Sequence, residues 1–504
     1  MLPLQKYYLR EPKLKTTLPK LIAMTVSLSR LGSSFSKRIA SVLFISFFLI
    51  SCSKKDGVDE PEITRSEANE LAAIAIKAAN NPGMTEDAFV ARGKTLIYVT
   101  LPTGSNLAAV KAEFDAPDKS TIEVNGQKLS GHSGTINMTN TLQVTITSEA
   151  GTKKSYTVLA QEGKKDLDKL IYNFKEKYSI PGISIAISKT QESRIVYRSG
   201  IGFAIEENQV RVKPDHLFRL ASASKQFTSL CIMKLVQAGK LTIDSKVFGP
   251  GGILESDFSN ISVKAAKVTV RNLLEHTTGW TSDPDPMFTG SFAGQTLTQR
   301  INYMLTSTQA EPSTKFSYYN MGFGTLGKVI EKLSGKTYEV YLKEVLAEAG
   351  ITDIHVGGNK SQRRTNEVVY YSQDGSNGYA NDMQVIAAAG GVIASPEQML
   401  KMLYAIDGRS NIPDILTPEI RTAMLTPSKV YDRYALGWRT NHSYFPNSWY
   451  HGGNLSGTAV LWVMGPEINC VVLCNSRSNI GGFDDELFGV LRDLINTAST
   501  INWE

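Results

Sequence analysis

Between residues 163 and 504 the strand-like runs lie at the two ends and the helical patterns lie between them, and this arrangement restricts the fold more than any other feature of the chain. On the amino-terminal side, Asp166 opens a helical pattern with Leu167, Leu170, Ile171 and Phe174 on one face. Pro181-Gly182 stops it, and residues 183–188 alternate as a strand. On the carboxy-terminal side, residues 458–463 and 470–474 read as a hairpin around Gly465-Pro466. A last amphipathic helix then carries Leu487, Phe488, Leu491 and Ile495. Neither end can bury a core alone, so the two are predicted to meet in one sheet flanked by helices. The helical middle would form a second lobe, giving an α/β architecture.

The first 162 residues have another character. Lys37 and Arg38 precede an apolar run over residues 39–50 that closes in Leu49-Ile50-Ser51-Cys52. The run is too short to span a bilayer and long enough for the core of an export signal. It resembles a bacterial lipoprotein signal, which implies cleavage before Cys52, acylation of its thiol, and anchoring to a membrane in the bacterial cell envelope. The long basic stretch before Met24 is unusual for a signal, and translation is expected to start at Met24. Residues 1–51 are thus read as an export segment and 52–61 as the lipidated Cys and a polar tether.

Residues 62–162 show short alternating runs at 95–101, 121–124 and 142–147, separated by turn signals at Pro102-Thr103-Gly104, Asn125-Gly126 and Gly151. That spacing predicts a small antiparallel all-β sandwich. Its last run, Ser155-Tyr156-Thr157-Val158-Leu159, resembles the final strand of immunoglobulin-like modules on bacterial surface lipoproteins. Nothing catalytic stands out there, and His132 reads as a loop residue. The module is taken as a spacer or as a binder of a surface protein or glycan. Gly163-Lys164-Lys165 reads as the linker to a second domain, 163–504.

Composition excludes some functions. The net charge is +6 over 504 residues, with Lys and Arg scattered, so nucleic acid is not an expected partner. The four cysteines (Cys52, Cys231, Cys470, Cys474) have no zinc-ligand spacing, and Cys231 lies in an apolar helix where a thiol packs as a small hydrophobe. No metal site is expected.

Three short motifs carry chemistry. Phe218-Arg219-Leu220-Ala221-Ser222-Ala223-Ser224-Lys225 leads into a helix with Phe227, Leu230, Cys231, Leu235 and Ala238 on its apolar face and Gly239 as a C-cap. Residues three apart share a helix face, so the Lys225 ammonium can approach the Ser222 hydroxyl. Burial would lower the lysine pKa until it accepts a proton. The Ser-x-x-Lys spacing also occurs at Ser34 and Ser51, both in the export segment, and a plain N-cap with a solvated lysine is the competing reading of Ser222.

In Phe316-Ser317-Tyr318-Tyr319-Asn320 a phenol and an amide two residues apart can flank a nucleophile from the opposite lobe. The same Tyr-x-Asn spacing at Tyr379 falls in a Gly/Ser/Asn-rich loop and reads as a surface aromatic. Finally, Tyr450-His451-Gly452-Gly453-Asn454 opens a carboxy-terminal strand, and its glycines let backbone amides approach a ligand and act as oxyanion donors.

In order and flanks, residues from about 167 to 497 resemble the serine β-lactamase and D-alanyl-D-alanine peptidase superfamily, on its class C and esterase-like branch. Phe218–Lys225 resembles the nucleophile motif and Tyr318-Tyr319-Asn320 the Tyr-x-Asn motif. Arg271-Asn272-Leu273-Leu274-Glu275-His276-Thr277-Thr278-Gly279 and Ala389-Gly390-Gly391 resemble structural segments of the branch, with His276 as a positioning residue of its loop. His451-Gly452-Gly453 stands where many members carry Lys-Thr-Gly.

The resemblance implies a β-lactamase-like sheet flanked by helices plus a helical lobe. It implies that Ser222 forms an acyl-enzyme and that Lys225 with Tyr318 relays the proton. The amides of Ser222 and Asn454 would form the oxyanion hole, and Asn320 would hold Lys225 or the substrate amide. No cofactor is implied. His451 departs from the pattern: with an ordinary pKa near ~6.5 it is largely neutral at pH 7, which weakens recognition of a substrate carboxylate. The expected substrates are therefore small esters or D-amino-acyl amides and peptides. A class C-type β-lactamase and a non-catalytic penicillin- or peptidoglycan-binding protein are the alternatives.

Overall fold

The computed structural model describes residues 65–503 except 281–284, 289, 307–309 and 410. Residues 64–504 form one compact unit. The export run, Met24 and Cys52 lie outside the described residues.

The amino-terminal part is built from nine strands: β1 (Ala73–Ala75), β2 (Phe89–Arg92), β3 (Leu96–Pro102), β4 (Val110–Asp115), β5 (Thr121–Val124), β6 (Gln127–Lys128), β7 (Ser133–Ile136), β8 (Leu142–Thr147) and β9 (Lys153–Gly163). They form a six-stranded sheet in the order β2-β3-β9-β8-β5-β6 and a three-stranded sheet in the order β1-β4-β7. Ile74, Val110 and Phe114 of the smaller sheet share one core with Val99, Ile122, Val144 and Val158 of the larger. The expectation of purely antiparallel pairing needs correction, because β3 runs parallel to β9. Strands β4 to β8 lie between them in sequence, and that length of chain supplies the crossover a parallel pair requires.

The expected linker also takes a different form. Strand β9 continues to Gly163, and helix α1 (Lys165–Lys177) begins two residues later. A Cβ at Gly163 would overlap the Asp168 carboxylate, so the closeness of strand end and helix start demands glycine. Ala91, Tyr98 and Leu159, on the outer face of the larger sheet, share a core with Leu167, Ile171 and Tyr172 of α1. Hydrogen bonds cross the same seam, from Gln161 Nε2 to Ser199 Oγ (2.7 Å) and from Arg211 to the Ala160 carbonyl (2.8 Å).

The predicted union of the two chain ends is present. Strands β10 (Gly182–Lys189), β11 (Arg194–Ile205) and β12 (Val210–Arg211) join β13 (Arg439–His442), β14 (Phe445–Leu455), β15 (Thr458–Met464) and β16 (Ile468–Cys474). The order is β12-β11-β10-β16-β15-β14-β13, antiparallel throughout, and β10 meets β16 with Ile183 opposite Cys474. Apolar residues alternate between the sheet's two faces, with Ser184, Ser188 and Asn469 as buried polar exceptions. Ile183, Ile185, Leu461, Cys470 and Val472 face α1 and the final helix α8 (Phe483–Thr500). Ala186, Val460, Trp462, Val471 and Leu473 face the helical lobe.

That lobe centres on α2 (Ser224–Gln237), surrounded by α3 (Leu297–Thr306), α4 (Asn320–Ser334), α5 (Tyr338–Ala347), α6 (Pro396–Tyr404) and α7 (Pro418–Leu425). The sequence pattern marks one apolar face on α2, whereas the helix is buried on every side from Ser224 to Met233. Several of its polar residues bond to backbone carbonyls inside the core. Thr228 donates to the Ala388 carbonyl (2.7 Å), Ser229 to the Leu436 carbonyl (2.6 Å) and Gln226 to the Gly437 carbonyl (2.8 Å). These bonds orient α2, and with it the motif at its start, against two separate segments, one at Ala388 and one at Leu436-Gly437. Cys231 is fully buried in this core.

Candidate active site

Ser222 sits in a tight turn, Ala221–Ala223, directly before α2. Ala221 has φ +48°, a left-handed conformation that a residue with a Cβ adopts at a cost. The turn holds because the short strands Phe218–Arg219, Val392–Ala394 and His355–Val356 pair just before it. Arg219 is fully buried, donates to the carbonyls of Gly378 (2.6 Å) and Gly358 (2.8 Å), and stacks its guanidinium on Tyr370 and Tyr379. Tyr379, expected as a surface aromatic, is thus a half-buried wall of this arginine's site.

Lys225, the second residue of α2 and one turn beyond Ser222, is fully buried. Its Nζ donates to Ser222 Oγ at 3.1 Å, Asn320 Oδ1 at 2.9 Å and the Ala389 carbonyl at 2.7 Å. Burial drives its pKa down to about 7, helped by the Arg439 cation and opposed by the Asp285 carboxylate. Near neutral pH a lysine so placed exists in both forms and can take the Ser222 proton.

Tyr318 faces Ser222, whose hydroxyl lowers its phenol, but burial outweighs this and pushes it up to about 12. Its ring lies 4.3 Å from the His276 ring and 5.0 Å from Lys225 Nζ. Ser222, Lys225, Tyr318 and Asn320 therefore converge as the sequence predicts.

The glycine strand closes the site from the other side. A Cβ at Gly453 would overlap the Leu220 carbonyl and fall 3.1 Å from the Ser222 amide nitrogen. Only glycine brings β14 this near the nucleophile turn, which sets the Asn454 backbone beside that of Ser222. The Asn454 side chain points elsewhere, to Asp484 Oδ1 at 3.5 Å.

His451 has both ring nitrogens engaged. The Tyr319 amide donates to His276 Nδ1 (3.1 Å), which leaves the proton on Nε2 to donate to the Tyr434 hydroxyl (3.1 Å). Tyr434 in turn donates to His451 Nε2 (3.2 Å), and His451 Nδ1–H donates to the Gly452 carbonyl (2.6 Å). Each tautomer follows from the backbone N–H at the start of this chain. Burial and the nearby cations hold both imidazoles well below the ordinary histidine range. His451 is thus a buried, neutral member of a hydrogen-bonded chain joining the lobe to the sheet.

Three residues of the site carry no signal in the sequence motifs. Tyr434 is the middle of that chain. Arg439, on β13 opposite Tyr450, places its guanidinium 5.4 Å from the Tyr318 ring and 5.8 Å from that of Tyr434. Asp285 accepts from the Asn320 amide (2.8 Å) and Asn320 Nδ2 (3.0 Å). All three come from segments without a recognisable pattern and reach the site only through folding. Among the described residues, no group of three or more His, Cys, Asp or Glu side chains is placed to hold a metal ion.

With this geometry in hand, comparison with known proteins is decisive at the level of family. The Beta-lactamase family matches residues 167–491. The chain belongs to that family. Its fold is the β-lactamase-like α/β fold, and it falls within the superfamily of serine β-lactamases and penicillin-binding-like hydrolases. It is 23% identical over 347 residues to protein flp of Staphylococcus aureus strain N315, covering 64% of this chain and 65% of that protein. The chain thus spans just under two thirds of that relative's length. Penicillin-binding protein 4* of Bacillus subtilis strain 168 is 30% identical over 211 residues, 39% of this chain and 43% of that one. The octameric penicillin-binding protein homologue of Pyrococcus abyssi superposes with a TM-score of 0.55 at 25% identity, covering 67% of this chain and 78% of its own.

Proposed function

We propose that this β-lactamase-family protein hydrolyses small esters or D-amino-acyl amides and peptides through a Ser222 acyl-enzyme. The observation that carries this reading is the buried Lys225 Nζ, 3.1 Å from Ser222 Oγ, with its pKa brought to about 7. Lys225 takes the Ser222 proton as Oγ attacks the carbonyl. Tyr318, facing Ser222, relays that proton from Lys225 to the leaving group; in deacylation Tyr318 and Lys225 take the proton of the attacking water and return it to Ser222 Oγ as the acid leaves. The backbone amides of Ser222 and Asn454 hold the developing oxyanion, a contribution of roughly 3 kcal/mol per donor. A binding protein without turnover has no use for a lysine depressed in this way.

Arg439 favours substrates that carry a carboxylate. The neutral His451 supplies no charge to the cleft, but the guanidinium over Tyr318 does. That draws D-amino-acyl peptides ahead of neutral esters and keeps a β-lactam, itself an anion, as the second reading. Export and acylation at Cys52 would place the reaction in the cell envelope, and the β sandwich would offer a surface to a protein or glycan partner there.

The test uses protein lacking residues 1–52, treated with a fluorescent penicillin, p-nitrophenyl esters and a D-alanyl peptide, with Ser222→Ala beside it and intact mass as readout. Turnover of ester or peptide with slow penicillin labelling, all lost in Ser222→Ala, supports the proposal. Fast penicillin turnover moves the protein to the β-lactamase reading. Stable adducts without turnover leave a penicillin-binding protein.

A further inference from the structure

We propose that Asp285 is a positioning residue of the site, whose carboxylate fixes the direction of the Asn320 amide and sets a negative charge behind the Lys225 ammonium. The inference rests on the serine-hydrolase reading above and deepens it. An Asn side chain fits a site in two orientations that differ only by exchange of oxygen and NH2. If Asn320 presented its NH2 to Lys225, two donors would face each other and the lysine would lose one of its three acceptors.

Asp285 prevents this. It is 8% exposed, and the Met287 amide donates to its Oδ1 at 3.0 Å. Oδ2 is thereby aimed at Asn320, where it receives both the backbone N–H (2.8 Å) and Nδ2–H (3.0 Å). An acceptor-only carboxylate on that side leaves Asn320 Oδ1 facing Lys225 Nζ at 2.9 Å. The same bond to the Asn320 backbone ties the start of α4, and so the Tyr318 segment before it, to the loop carrying Asp285.

Position and charge act together. The groups facing Lys225 are Asp285 through Asn320, Tyr318, His276 from the loop after the Val270–Leu274 helix, and Arg439 and His451 from the sheet. Asp285 opposes the two effects, burial and Arg439, that lower the lysine. It therefore sets the pH above which Lys225 can act as a base.

Two variants separate these roles. Asp285→Asn keeps an acceptor towards Asn320 and removes the charge, whereas Asp285→Ala removes both. Each would be crystallised at matched pH beside the wild type. The rate of Ser222 labelling by a fluorophosphonate would be followed by intact mass from pH 5 to 9. With the charge gone, the acid limb of labelling in Asp285→Asn should move down by about one pH unit while Asn320 stays in place. In Asp285→Ala, Asn320 Oδ1 should leave Lys225, and labelling at the optimum should fall about a hundredfold. An unmoved acid limb in Asp285→Asn, or an unmoved Asn320 in Asp285→Ala, overturns the proposal. If the wild type is not labelled at all, the hydrolase reading fails, and the crystal structures still decide whether Asp285 holds Asn320.

Discussion

Two buried carboxylates, one in the seam between sandwich and hydrolase sheet and one in the cleft, solve the same problem by different means. Asp168, on α1, is fully buried and receives hydrogen bonds from Tyr197, Thr100 (3.0 Å), Ser199 (3.4 Å) and Gln161 (3.4 Å). All four donors are neutral. Burial outweighs them, and its pKa rises to about 6. Asp285 is almost as buried and burial also raises its pKa, but the hydrogen bonds from Met287 and Asn320 and, to a smaller extent, the Lys225 charge draw it back down. In the seam, neutral donors satisfy geometry and leave the charge costly. In the cleft, each charge is held where another needs it, and neither Lys225 nor Asp285 keeps its ordinary pKa. The seam spends its polar groups on fit; the cleft spends them on proton affinity.

Removing the central charge of the cleft should break the comparison most sharply. Lys225→Met should lower kcat/KM on p-nitrophenyl esters by about 10³–10⁴-fold. Thermal melting should change by only a few degrees, because an apolar chain of similar length replaces the ammonium and the Asp285 carboxyl, its pKa already raised, can take up a proton. A large loss of melting temperature would show that the lysine is structural.

In the seam the effect should appear in stability and not in rate. The folded-state pKa of Asp168 is raised, so its contribution is fully present below about pH 4 and is lost as pH rises through about 6. Asp168→Asn removes that loss. Equilibrium urea unfolding should therefore show the difference between wild type and variant changing by about 3 kcal/mol across this window, in the variant's favour as pH rises. A difference independent of pH would mean that the carboxyl titrates alike in the folded and unfolded chain.

The smallest effect belongs to Arg439. Arg439→Gln should lower kcat/KM for carboxylate-bearing substrates about tenfold and leave neutral esters near wild type in the plateau. Because the Arg439 cation helps to lower Lys225, its removal should move the acid limb upward, opposite in sign to Asp285→Asn. Equal losses on charged and neutral substrates would assign Arg439 to packing against Tyr318.

Much of the cleft is legible in the sequence for a physical reason. The Ser222–Lys225 contact is made within one helical turn, and Tyr318 and Asn320 lie two residues apart, so short-range spacing encodes their geometry. The union of chain ends is legible because both carry period-2 apolar patterns that need a partner. Asp285, Tyr434 and Arg439 meet their partners across long stretches of chain, as in the 158 residues between His276 and Tyr434. Asp168 looks like an ordinary acid in the first turn of a helix, and only the docking of the sandwich buries it. The parallel pairing of β3 with β9 is likewise hidden, because alternation marks a strand and not its direction. His451 shows the limit in another way. Its neutrality follows from composition, but its role as an internal link appears only with Tyr434 in place.

The run of β9 straight into α1 has a mechanical consequence. β9 is flanked by β3 on one side and β8 on the other, and its end is clamped by Gly163 against Asp168. The chain has no slack at residue 163. β9 is held through its ladders to β3 and β8 on both edges. The sandwich and α1 are thus joined without a flexible tether, so a rotation of β9 carries the start of α1 with it.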